Sequence, residues 1–221
     1  MPKGLTKKRD ARLGAILEAA EALFLEKGYD ASVSDILEKA GMGRGTFYHY
    51  FKSKEDVLEA VVDRLIDHVV EDANAIAERP DLDAHTKLGQ VIAAVSLGDT
   101  PAGAIIDELH RPANAQMHFK SITETIRQVA PIMARVVEQG VAEGVYTTPR
   151  PLETIEFLLV ANSAMFDGWL FPRTREQFAA RAAEVARITE LALGARDGSF
   201  AFLLEGLEGL EALEGPRGLD K

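Results

Sequence analysis

Cysteine is absent from the sequence, tryptophan occurs once, and aromatic residues make up only 7%. Without cysteine there is no disulfide framework, no zinc–thiolate site and no thiol nucleophile. Long apolar runs are missing too. The strongest candidate, FLLVANSAMF, is broken by Asn162 and closed by Asp167, well short of the ~20 residues that span a bilayer. The amino terminus, MPKGLTKKRDAR, is basic but has no apolar segment behind it, so it does not read as a secretory signal. These absences predict a soluble, cytoplasmic protein with no membrane partner. Alternating β-branched runs are also lacking, and nothing reads as strand.

Positive charge is the scarcer sign. There are 25 Lys and Arg against 35 Asp and Glu, a net charge of −10. The distribution is uneven, however. Residues 1–54 carry ten Lys/Arg and seven Asp/Glu, net +3, whereas the remaining 167 carry fifteen and twenty-eight, net −13. A mildly basic head on an acidic body suggests that only the head meets a polyanion.

What is present is helical periodicity punctuated by Gly and Pro. A first helix is expected over about 8–27, burying Leu13, Ile16, Leu17, Ala20, Leu23 and Phe24 and stopping at Gly28. Ser32 or Ser34 caps a short second helix, SDILEKA, which stops at Gly41. A third runs from Arg44 to Tyr50, and a long fourth from Lys54 to Glu78 ends at Arg79-Pro80. Further helices are expected at 82–97, 101–110, 114–144, 151–171 and 174–194, with Pro131 a candidate kink in the longest. The fold class is all-α: a three-helix head over 1–54 and a larger helical domain over 55–221. The tail SFAFLLEGLEGLEALEG is amphipathic but carries Gly206 and Gly209, each costing about 1 kcal/mol against Ala. It is expected to be helical only when docked.

The stretch AGMGRGTFYHYFKSKEDV, residues 40–57, poses the functional question. Its glycines suit either a phosphate-cradling loop or a tight turn between helices. A P-loop needs a preceding strand and a closing Gly-Lys-Ser/Thr, and a dinucleotide fingerprint needs G-x-G-x-x-G after a strand. Here the spacing is G-x-G-x-G and the preceding segment is a helix, so the nucleotide reading fails. A helix-turn-helix fits. Gly41-Met42-Gly43 makes the sharp turn, and Phe47, Tyr50 and Phe51 share the side of the third helix that locks against the first two. Arg44, Gly45, Tyr48 and His49 lie toward the other side, free to enter a major groove. Arg44 suits guanine or phosphate, Gly45 allows close approach, and Lys52 and Lys54 suit orienting phosphate contacts. The alternative for these side chains is a solvated surface with solubilising charge.

The segment KGYDASVSDILEKAGMGRGTFYHYFKSKEDVLEAV resembles the amino-terminal domain of TetR-family transcriptional regulators. The match covers about residues 12–65; beyond it only length, helicity and the pattern QGVAEGVY agree. The resemblance implies a helix-turn-helix head followed by a helical ligand-binding and dimerisation domain, and a repressor released from its operator by a small-molecule effector. Carried over by position, Arg44 and His49 become base readers, while Thr46 and Tyr48 meet phosphate or a thymine methyl. Lys54 holds the DNA backbone, and Ser34 adds a contact. The Gly28-to-Ile36 connection is a residue shorter than usual, which leaves Ser32, Val33 and Ser34 open for the contact positions of the second helix. The basic arm Lys3, Lys7, Lys8 and Arg9 either tracks the minor groove or is a disordered terminus.

A short recognition helix reads few bases, so a homodimer on a two-fold-symmetric operator is expected. Helices 151–171, apolar nearly all round, and 174–194, rich in alanine, are its candidate interface, or else simply core. An effector pocket is expected among Leu65, Val69, Ile105, Leu109, Met117, Ile122, Phe166 and Trp169, residues that equally suit plain core. Polar Asp107, Glu108, His110, Asn114 and His118 gather at a proline joint within DELHRPANAQMHFKS. A structural network, a polar anchor for an organic effector, and a metal site on His110 and His118 are the three readings of that cluster. Asp167 either attracts a cationic effector or pairs with an arginine. No cofactor is expected. A helical-pocket enzyme and a protein-docking adaptor are the rival classes. The first lacks any nucleophile–base pair, and the second lacks outward apolar anchors on the head.

Overall fold

The computed structural model of the chain is described over residues 3–96, 103–166 and 175–204. Among these residues it contains α-helices and short 3-10 turns and no strand. The helices are α1 (Lys3–Lys27), α2 (Val33–Ala40), α3 (Arg44–Tyr50), α4 (Lys54–Ala77), α5 (Ala84–Val95), α6 (Gly103–Leu109), α7 (Ala115–Ala142), α8 (Pro151–Phe166) and α9 (Arg175–Leu193). The chain divides into two compact units, each built from two stretches: Met1–Asp72 with Ile92–Thr125, and Ala73–Val91 with Ile126–Lys221. The head expected over 1–54 lies within the first unit, which also takes in α6 and the start of α7.

The first unit is organised by one apolar core. Ile16, Ala20 and Phe24 of α1, Ile36 of α2, Phe47 of α3 and Val57 and Val61 of α4 are all buried in it. The α1 residues recur every three or four positions and so share one face. Ile105 and Leu109 of α6 belong to the same core, a contribution that local periodicity did not assign to the head. Surface ion pairs such as Arg64 with Glu21 at 3.5 Å and Lys120 with Glu59 at 2.6 Å frame it. Exposed pairs contribute about 0–1 kcal/mol each, so burial dominates.

In the second unit, Lys87 is a buried cation. Its ammonium donates to the carbonyl of Ala77, the last residue of α4, and to Gln139 Oε1, both at 2.8 Å. A cation at a helix C-terminus meets the negative end of the macrodipole. The Gln139 amide donates to Glu143 Oε1 at 2.6 Å, and Glu143 Oε2 accepts from the Ala84 amide at 2.9 Å, where α5 begins. Gly194 at φ 63 closes α9, and residues 199–204 fold back onto the second unit. Phe200 is fully buried, its amide donating to Glu190 Oε1 at 2.9 Å. Its ring lies edge-on to His85 at 5.0 Å, and His85 Nε2 donates to the Ser199 carbonyl at 2.8 Å.

Several expectations shift. α1 begins at Lys3 rather than near residue 8, so the backbone of Lys3, Lys7, Lys8 and Arg9 is helical and not an extended arm. Their side chains lie outside the described residues. The helix expected over 114–144 is α7 preceded by a 3-10 turn, Pro112–Asn114, and α7 runs on through Pro131. Asp167, Trp169 and the tail beyond residue 204 also lie outside the described residues.

Gly140, inside α7, lies under the buried Tyr146 ring. A Cβ there would overlap that ring and come within 3.2 Å of the Ala84 methyl. Helix propensity would favour alanine by about 1 kcal/mol, but overpacking against an enclosed ring costs about 1–3 kcal/mol. Gly140→Ala is therefore expected to lower stability, seen as a reduced urea midpoint; an unchanged or raised midpoint would show that the ring has room to yield.

Candidate nucleic-acid interface

Within the α2–turn–α3 segment, α2 is capped at both ends. Ser32 is the N-cap of α2: its hydroxyl accepts from the Asp35 amide at 3.1 Å, and the Asp35 carboxylate accepts from the Ser32 amide at 2.7 Å. This is a capping box, which decides between Ser32 and Ser34 as cap. The box holds the Asp35 carboxyl below the usual range, first through the Ser32 amide and then through its hydroxyl. At the C-terminus Gly41 takes φ 64, the left-handed conformation that ends α2. Gly43 then opens α3 at an ordinary φ of −85, so one glycine of the three makes the turn.

α3 is fixed by its inner face. Phe47 is fully buried, Phe51 nearly so, and Tyr50 packs partly against the same core. Phe47 touches Tyr48 edge-on at 5.4 Å and Phe51 at 5.8 Å. With those residues inward, Arg44, Gly45, Tyr48 and His49 are exposed, Tyr48 at 60%, while Thr46 is half-buried. Ser32, Ser34 and Lys52 are exposed as well. Gly45 is informative because a Cβ there would meet no protein atom within 4 Å. Packing does not require glycine at that place, whereas close approach of a ligand backbone would.

The start of α4 carries its own cap. Ser53 Oγ accepts from the Asp56 amide at 3.1 Å, and Asp56 Oδ2 accepts from the Lys52 amide at 2.8 Å. Lys54, expected to face a phosphate, instead donates to the Tyr29 carbonyl and stands 3.7 Å from the centroid of the Tyr29 ring. Tyr29 also donates its hydroxyl to Glu55 Oε1 at 3.0 Å. The Glu55 carboxyl is held below its usual range by its own amide, then by the hydroxyls of Ser53 and Tyr29. Burial, and then Glu55, push the phenol of Tyr29 up. Sequence reasoning missed Tyr29; an aromatic directly after a helix-stopping glycine was the available signal.

The residues expected around an effector divide. Leu109 is in the first unit's core, Leu65 and Met117 pack against it, and Val69 is buried in the same unit. Phe166 belongs to the second unit, edge-on to Phe178 at 5.1 Å. Within the 107–121 cluster, Glu108 is buried and accepts from Asn114 Nδ2 and from Arg111 Nε, both at 3.0 Å. His110 and His118 stand edge to face at 4.7 Å. Among the described residues no three His, Asp or Glu converge on a possible metal position. Glu108, Arg111 and Asn114 are thereby linked by hydrogen bonds.

Two family models match the chain: "Bacterial regulatory proteins, tetR family" over residues 16–61 and "Tetracyclin repressor-like, C-terminal domain" over 102–188. The chain belongs to the TetR family. Its members are DNA-binding transcriptional regulators, so the helix-turn-helix is the DNA-binding element of a regulator. The HTH-type transcriptional regulator YvdT of Bacillus subtilis is 41% identical over 68 residues, 30% of this chain and 35% of that one. The HTH-type transcriptional repressor KstR2 of Mycobacterium tuberculosis is 28% identical over 141 residues, 62% of this chain and 70% of that protein. A TetR/AcrR-family regulator from Thermobifida fusca superposes with a TM-score of 0.55 at 28% identity, over 85% of this chain and 98% of that one. The family match supports neither the metal-responsive nor the enzyme alternative.

The caps set two expectations. Ser32→Ala lowers the unfolding free energy by about 1 kcal/mol. The depressed Asp35 carboxyl contributes stability above its ordinary value of 3.8, lost as the pH falls through its folded value. Asp35→Asn should therefore be less stable than the wild type near neutrality and converge with it in acid. Parallel stability–pH curves for the two proteins would show that this carboxylate is not involved.

Proposed function

We propose that this regulator is a cytoplasmic homodimer that represses transcription from a two-fold-symmetric operator and is released by a small organic effector. The observation that carries the DNA-reading part is the outward face of α3. Arg44, Tyr48 and His49 are exposed around a glycine whose missing side chain leaves open space. Arg44 and His49 are assigned to bases, Thr46 and Tyr48 to phosphate or a thymine methyl, and Ser34, Lys52 and Lys54 to phosphates. Ser32 keeps its hydroxyl in the cap and offers at most its exposed edge.

Dimerisation through 151–194 is supported by large apolar side chains left open on single helices: Phe157 and Val160 on α8, at 65% and 55%, and Leu191 on α9, at 63%. Isolated exposed apolar residues are ordinary, but three this open on two adjacent elements favour a partner surface. The division of labour is then 1–54 for DNA and 55–221 for effector and dimer. Effector control is supported by the place of α6, which contributes Ile105 and Leu109 to the core that seats α3. A ligand that binds two arrangements of that region with different affinity would shift the head between them. His110, Asn114 and His118 are its proposed polar anchors.

Selection of purified protein on random duplexes, repeated over a salt series, tests the DNA reading. A two-fold-symmetric site should be enriched. Arg44→Ala should relax its specificity, and Lys52→Ala should flatten the slope of log affinity against log salt by about one. Gly45→Ala should leave stability unchanged, or raise it by up to about 1 kcal/mol, while weakening DNA binding at least tenfold. Weak, salt-insensitive binding with no enriched site would reject the reading. The interface is tested separately: Phe157→Glu with Leu191→Glu should sediment as a monomer, and retention of the dimer would place the contact elsewhere.

A further inference from the structure

At the start of α4, two neighbouring side chains of opposite charge are held by different parts of one residue. The Tyr29 carbonyl and ring face take the Lys54 ammonium, and the Tyr29 hydroxyl takes the Glu55 carboxylate. Tyr29 is itself anchored. It lies in the 3-10 turn Gly28–Asp30, its ring is 5.8 Å from Phe24, and it packs against the head core. A staple for stability would need only one of these contacts. The pairing makes more sense for a surface that meets a polyanion. Glu55 is favoured in the first turn of α4 by the helix dipole, yet a free carboxylate beside Lys54 would oppose any phosphate that Lys54 attracts. The other first-turn acid, Asp56, is likewise tied back, to the Lys52 amide. An ammonium has three N–H donors, and the Tyr29 carbonyl takes one.

We propose that Tyr29 is a positioning residue for DNA binding: its carbonyl and ring seat the Lys54 ammonium for a backbone phosphate, while its hydroxyl holds the Glu55 carboxylate out of that phosphate's way. The inference rests on the DNA-binding reading and adds to it a residue that touches no DNA. Seating the lysine in advance reduces the side-chain freedom lost on binding, and restraining the glutamate removes a like-charge opponent.

The test uses the full chain and short fluorescein-labelled duplexes of random sequence at low salt, because phosphate contacts dominate non-specific binding. The variants are Tyr29→Phe, Glu55→Gln, the double Tyr29→Phe/Glu55→Gln, Tyr29→Leu and Lys54→Ala, each with a thermal melt. Tyr29→Phe keeps the ring and the carbonyl and removes only the hydroxyl's share of the hold on Glu55, which its own amide and the Ser53 hydroxyl also grip. It should melt within about 2 °C of the wild type and bind about 3–10-fold more weakly, and adding Glu55→Gln should restore the affinity. A merely structural tyrosine would not be rescued in this way. Tyr29→Leu, which keeps the carbonyl and the lysine charge but removes the ring, should weaken binding without changing the salt slope, whereas Lys54→Ala should flatten the slope by about one. If Tyr29→Leu fails to fold, the Phe/Gln cycle decides alone, since neither change removes packing. Wild-type affinity and slope in Tyr29→Phe, or a double variant as weak as Tyr29→Phe, overturns this inference and leaves the DNA reading intact. A wild type that binds no duplex overturns both.

Discussion

The burial of Phe47 is the constraint on which the reading head depends. A seven-residue helix has no independent stability, because nucleation is costly and isolated helices much shorter than ~12–15 residues are marginal. α3 therefore exists because Phe47 and Phe51 are held in a core supplied by α1, α2, α4 and α6. Once Phe47 points inward, helical geometry turns Arg44, Gly45, Tyr48 and His49 outward. The proposed DNA-binding face is thus a by-product of core packing, and the turn at Gly41 sets the angle at which it is presented.

A second theme is how an acidic chain meets an acidic polymer. The net charge of −10 does not act evenly, and three carboxylates at the starts of α2 and α4 are engaged locally. Asp35 accepts from the Ser32 amide, Glu55 from the Tyr29 hydroxyl and Asp56 from the Lys52 amide. Each caps a helix or satisfies a donor, so the same residues that begin α2 and α4 have restricted freedom to oppose a phosphate.

Much of the head was legible in the sequence, and for a clear reason. The bounds of α3, the stop at Gly41 and the inward set of Phe47, Tyr50 and Phe51 follow from glycine, capping residues and helical spacing, all of which are local. What was not legible depends on partners distant in the chain. That Ile105 and Leu109 complete the head's core cannot be read from α6 alone, since its pattern specifies an apolar face but not the surface it meets. Lys54 looked like a free cation because its partner, Tyr29, is 25 residues away. In the polar cluster at 107–121, spacing gathered Glu108 and Asn114 but did not show that the buried Glu108 binds Asn114 and Arg111. In each case spacing identified the residue, and tertiary contact supplied its partner.

The return of the chain after α9 also has a temporal side. His85 lies near the start of α5, yet the carbonyl that accepts its Nε2 proton belongs to Ser199, 114 residues later. At typical synthesis rates of ~5–20 residues per second, that partner arrives roughly 6 to 23 s after His85. Until then the surface that Phe200 and Phe202 will cover, including Gly89, stands open to water. The second unit is thus completed only by a segment made 114 residues after His85, and a nascent protein would carry this uncovered aromatic seat throughout that interval.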